Sequence, residues 1–120
     1  MTEFDALLKV AQAQLSEVDA SNAPYLQAIC VQSTGGTIYR ALFRNALSAD
    51  AETDRFFEML RVADDTTLAL LVCVWANGAV DVPSYAFRKA LLALDATNAD
   101  CRIFLKGAHG YNERTVAQSF

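Results

Sequence analysis

At 120 residues the chain has the length of one domain, and with 53% hydrophobic residues, two prolines and five glycines it falls outside disordered, collagen-like and low-complexity compositions. Ten basic against fourteen acidic residues leave a formal charge of −4. The cations are scattered, so the basic stripe that nucleic-acid binding requires is missing.

No apolar run approaches the length of about 18 residues that a membrane span needs; the longest surrounds Leu68 to Trp75. The acidic start after Met1 lacks the basic region of a signal peptide, so a cytoplasmic protein with no membrane partner is expected. The three cysteines, Cys30, Cys73 and Cys101, have no CxxC spacing and each lies in an apolar run. That pattern predicts buried thiols rather than a disulfide or a metal cluster.

Phe4, Leu7, Leu8, Ala11, Leu15 and Val18 recur at helical spacing, with Thr2 placed to cap the start. After Asn22-Ala23-Pro24, two β-rich stretches, Tyr25 to Gln32 and Thr37 to Phe43, flank Ser33-Thr34-Gly35-Gly36 and predict a hairpin. Asp50 to Val62 puts Phe56, Phe57 and Leu60 on one helical face. Thr67 to Trp75 is almost wholly apolar, as suits a central strand covered on both sides, and Ala76-Asn77-Gly78 ends it. Ser84 is placed to cap a helix carrying Phe87, Leu91, Leu92 and Leu94, and Cys101 to Lys106 reads as a last strand. From Gly107 onward a loop and a short terminal turn docked by Phe120 are expected. The order α-β-β-α-β-α-β predicts a single α/β domain over residues 1–120, a three-layer α/β/α sandwich around a mixed sheet.

Two stretches give this order a likeness. Asp50-Ala51-Glu52 opens the second helix, and Pro83-Ser84-Tyr85-Ala86-Phe87-Arg88-Lys89 opens the third. In this the chain resembles the cytidine deaminase family, in which the second helix opens with C-A-E or H-A-E and the third with P-C-x-x-C. The resemblance implies a zinc ion held by three ligands, activating a water, with a glutamate that shuttles its proton. By position the glutamate is Glu52, and the ligand positions are Asp50, Ser84 and Phe87. Asp50 can ligate zinc, Ser84 is a poor neutral ligand, and Phe87 cannot ligate at all. No cofactor is therefore expected. The family's ribose-binding N-x-E falls near Leu42-Phe43-Arg44 or Phe43-Arg44-Asn45, and neither register supplies both side chains.

Each of these residues also has a plain structural reading. Glu52 is either a retained acid/base facing a pocket or an acidic first-turn residue favoured by the helix dipole. Asp50 and Ser84 are ligand remnants or caps. Phe87 fills the emptied site as core. Phe43, Asn45 and Arg88 are the candidate substrate contacts, Arg88 for a phosphate or carboxylate, against an ordinary exposed helix arginine. Arg40, Arg44, Arg55 and Arg61 mark an anion site, an oligomer contact or solvated faces. Trp75 is a packing anchor or a stacking platform, and His109 is a loop residue with a titratable ring.

Three functions follow as expectations. One is a deaminase-like protein that has lost zinc and serves as a non-catalytic binding or assembly module. The second is a zinc-independent enzyme or divergent nucleoside deaminase using Glu52. The third is a structural α/β domain that is alike in architecture only. The resemblance also implies a homo-oligomer, a dimer or tetramer, with a nucleoside-like ligand as the small-molecule partner.

Overall fold

The structure is a computed structural model that describes residues 3–18, 24–46, 50–107 and 110–120. Its elements run α1 (Asp5–Ser16), β1 (Gln27–Ser33), β2 (Ile38–Phe43), α2 (Asp50–Val62), β3 (Leu68–Trp75), α3 (Tyr85–Leu94), β4 (Arg102–Gly107) and β5 (Gly110–Thr115). Short 3₁₀ turns cover Ala96–Asp100 and Ala117–Ser119.

The strands form one mixed sheet in the order β2-β1-β3-β4-β5. β1 is antiparallel to both neighbours, β3 and β4 are parallel, and β4 and β5 close an antiparallel hairpin. The parallel pair needs a crossover, which α3 supplies. In the β1–β2 hairpin Gly36 takes φ +95°, a conformation only glycine adopts without strain, and its N–H bonds to the Ser33 carbonyl at 2.9 Å.

Alternation along the central strands divides the interior into two layers. Ala28, Cys30, Leu70, Val72 and Val74 meet Phe4, Leu7 and Ala11 of the α1 segment on one face. Ile29, Val31, Leu71, Cys73 and Ile103 meet Phe56, Phe57 and Leu60 of α2 and Phe87 and Leu91 of α3 on the other. Helices thus cover both faces, giving the three-layer α/β/α architecture. All three cysteines are buried and free. Among the described residues no helix is long and apolar enough to cross a membrane.

One expectation is corrected. The tail after Gly107 is not only a loop and turn: Gly110–Thr115 forms β5, paired with β4 from Gly107↔Gly110 to Arg102↔Thr115. Gly-Tyr-Asn-Glu-Arg-Thr lacks apolar alternation because β5 is an edge strand exposed along most of its length, held by backbone pairing and by contacts that sequence pattern does not encode. The expected Thr2 cap and His109 lie outside the described residues. Phe4 occupies the N-cap position of α1 without a side-chain cap bond, and its ring packs on Phe104 at 5.1 Å.

A further buried polar residue was not anticipated. Asn98 is fully buried; its Oδ1 accepts from the Leu68 amide at 2.8 Å, and its Nδ2 donates to the carbonyls of Thr66 at 2.9 Å and Leu91 at 3.0 Å. It satisfies backbone groups at the start of β3 and the end of α3 together.

Candidate functional site

The start of α3 is built as the sequence pattern requires, whereas Asp50, read as a ligand remnant or a cap, is the first residue of α2 itself. Asp50 and Glu52 place carboxylates in the first turn of α2. Ser84 caps α3, its Oγ accepting from the Phe87 amide at 3.1 Å. The lone pairs of a cap hydroxyl are thereby turned to the helix backbone.

Between these helix starts the structure places rings. Phe87 is 1% exposed. Its ring lies 4.9 Å from Phe57, 5.8 Å from Phe56 in a near-parallel stack and 6.0 Å from Phe43 edge-on. Phe56 also meets Phe57 edge-on at 5.5 Å. Strand β2, helix α2 and helix α3 therefore join in one aromatic cluster of mutually favourable tilted and offset geometries.

The three positions at which the resemblance implies zinc ligands do not fit the ion. Phe87 offers only hydrocarbon, the Ser84 oxygen is neutral and engaged as a cap, and Asp50 stands exposed at the helix start. Among the described residues no group of three His, Cys, Asp or Glu side chains could hold a metal. Cys73 and Cys101 share the cluster of Phe87, but burial raises both thiols, Cys101 to about 12 and Cys73 further. They stay protonated, whereas a zinc ligand must be thiolate.

The candidate contact residues are dispersed. Glu52 is 41% exposed at its side chain and lies 3.8 Å from Arg55, one turn along α2. It shares with Phe43, Arg40, Arg55, Phe56 and Met59 a shallow open depression of about 300 Å³. Asn45 is exposed beyond the end of β2, and neither it nor Arg88 lines that depression. The Arg88 guanidinium is engaged elsewhere. Its Nε donates to the carbonyls of Pro83 at 3.0 Å and Ser84 at 3.4 Å, and its Nη1 donates to the carbonyl and hydroxyl of Ser119. It also lies under the Phe120 ring, 5.0 Å from the centroid, and Phe120 meets Tyr85 edge-on. Arg88 thus fastens the C-terminal turn to the start of α3.

Three larger depressions lie elsewhere among the described residues, one of about 370 Å³ beside Tyr25 and Trp75. Another, of about 570 Å³, gathers the hydroxyls of Ser33, Thr34, Thr67 and Thr97 at the far end of β1. Its neighbour, about 420 Å³, is lined by Phe4, Phe104 and Tyr111. Glu3 and Arg102 border both, and Arg102 forks between Glu3 at 2.7 Å and Glu113 at 2.8 Å. Sequence reading missed this triad because its members come from opposite ends of the chain with no motif spacing.

No protein-family model matches the chain, and no curated protein matches it. Solved structures do. A cytidine deaminase from Mycobacterium leprae superposes with a TM-score of 0.72 at 17% identity, over 100% of this chain and 98% of that one. A mutant cytidine deaminase from Mycobacterium tuberculosis gives 0.68 at 14% identity, over 98% and 93%. The cytidine deaminase from Burkholderia pseudomallei gives 0.67 at 11%, over 98% and 94%. The superpositions run along essentially the whole length of both chains: the chain has a cytidine deaminase-like fold.

Proposed function

We propose that this chain is a binding or assembly module on a cytidine deaminase-like fold, without zinc-dependent hydrolytic deamination. The observation that carries the reading is the ring of Phe87, packed among Phe43, Phe56 and Phe57, at a position where the resemblance implies a metal ligand. Filling that space with hydrocarbon removes at once a ligand, the room for a base and the polar surroundings that would activate water. Glu52 is read accordingly as a first-turn carboxylate beside Arg55, stabilising its helix rather than moving protons. The module works in a reducing compartment, the cytoplasm, where three unpaired thiols are at home. It self-associates, and exposed Tyr85 and Phe120 supply an aromatic surface for it, Phe87 being buried.

The experiment is elemental analysis of the purified chain with an assay for conversion of cytidine and deoxycytidine, for the wild type and Glu52→Gln. Zinc well below one per chain and no turnover are expected. The variant should melt only slightly earlier, for about 0.3–1 kcal/mol of dipole stabilisation. One zinc per chain retained after dialysis, or turnover that Glu52→Gln abolishes, overturns the reading. A single species of 13.1 kDa by light scattering would remove self-association.

A further inference from the structure

We propose that the outer edge of β2, unpaired among the described residues, with the groove between it and α2, takes an acidic extended peptide of another protein as an added strand. The proposal rests on the reading of the chain as a binding module and names the partner and the mode.

β2 is an outermost strand, paired with β1 without a bulge from Gln27↔Phe43 to Gln32↔Ile38. The Ser33 amide bonds to the Thr37 carbonyl at 2.9 Å. Hydrogen-bonded and non-bonded positions alternate in an antiparallel pair, so the peptide groups of Tyr39, Ala41 and Phe43 turn toward β1. Those of Ile38, Arg40 and Leu42 turn outward. The sequence Ile-Tyr-Arg-Ala-Leu-Phe contains no proline and no lysine, the usual guards of an exposed edge. The opposite edge differs: β5 carries adjacent Glu113 and Arg114, with Glu113 ion-paired to Arg102.

The groove beside this edge has both an apolar floor and a sign. Phe56 and the 41% exposed Met59 line it from α2. Arg55 lines it ion-paired to Glu52 at 3.8 Å, so the net positive charge comes from Arg40, which borders the groove from the α1 face of the sheet, and from Arg44 just past the end of β2. In a chain of net charge −4 this is a locally cationic strip. A second copy laid on β2 about a two-fold axis would set these arginines against themselves, so charge favours an acidic partner. Arg40 lies opposite Cys30 and hence on the α1 face of the sheet, whereas Phe56 and Met59 belong to α2 on the other. A strand alternating acidic with apolar residues would meet Arg40 on one face and the α2 floor on the other.

The test is fluorescence anisotropy of a labelled peptide alternating glutamate with valine, titrated with the full chain and followed by amide exchange. Saturable binding is expected, with new protection at the Arg40 and Leu42 amides. Arg40→Glu should weaken it about tenfold, the size of one lost charge-assisted contact. Methylating alternate backbone nitrogens of the peptide should abolish it, a control that leaves the protein's folding untouched. The proposal is overturned if the acidic peptide does not bind, if the methylated or lysine counterpart binds equally, or if Arg40 and Leu42 gain no protection. A dimer that Arg40→Pro dissociates would give the edge to a second copy and overturn it too. Retained zinc and cytidine turnover would instead sink the module reading while leaving these readouts intact.

Discussion

The ring of Phe87 touches three others from two further elements, so its removal opens a hole that no single neighbour can close. Phe87→Ala is expected to cost about 3–5 kcal/mol in urea unfolding, the range for a large buried aromatic. A loss below about 1 kcal/mol would mean that the helix starts collapse on the vacancy, and that the ring is filling rather than bracing. Its burial was legible in the sequence, because Phe87 shares the apolar face of its helix with Leu91. Asn98 was not. A buried asparagine that serves three backbone groups in two elements looks, in sequence, like any turn residue.

Elements with strong internal patterns were read nearly to the residue: Asp50–Val62 as helix and Leu68–Trp75 as a buried strand. β5 escaped because an edge strand is specified by its partner, and the groove between β2 and α2 escaped because it exists only once two segments lie side by side. The two edges also answer pH in opposite directions. On the β5 side, the hydrogen bond from Arg102 holds the Glu113 carboxyl below its ordinary value of 4.5. That contribution is complete above the ordinary value and is lost as pH falls through the depressed one. On the β2 side, the Tyr39 hydroxyl donates to Asp65 at 2.7 Å, which raises the phenol above 10.0. This contribution is present below that value and disappears as pH rises through the higher one. Glu113 is exposed and Tyr39 only half-buried, so the effects are small. Glu113→Gln is expected to flatten the acid limb of a melting-temperature profile below about pH 4.5 and leave the alkaline limb alone. An unchanged acid limb would show that the fork to Arg102 adds nothing in solution.

At the scale of the whole molecule, the two interior layers stand or fall with the sheet between them. Cys30 lies in the α1 layer, and Cys73 and Cys101 in the other. Burial lifts Cys30 to about 11 and the other two higher. Native protein at neutral pH should therefore react with a thiol reagent only at the rate of global opening, with all three groups appearing together; one fast thiol would reveal a layer that opens alone. The fork of Arg102 carries a different consequence, for the making of the protein. It joins Glu3 to a partner 99 positions later, and Phe4 packs on Phe104 beside it. A ribosome delivers α1 well before the β4 part of its floor, so the helix must wait half-covered while the residues between them are made. Nascent chains stalled before β4 emerges should be cut by protease within α1, and extension through β5 should end that sensitivity. Early protection would mean that β1 and β3 alone suffice to seat the helix.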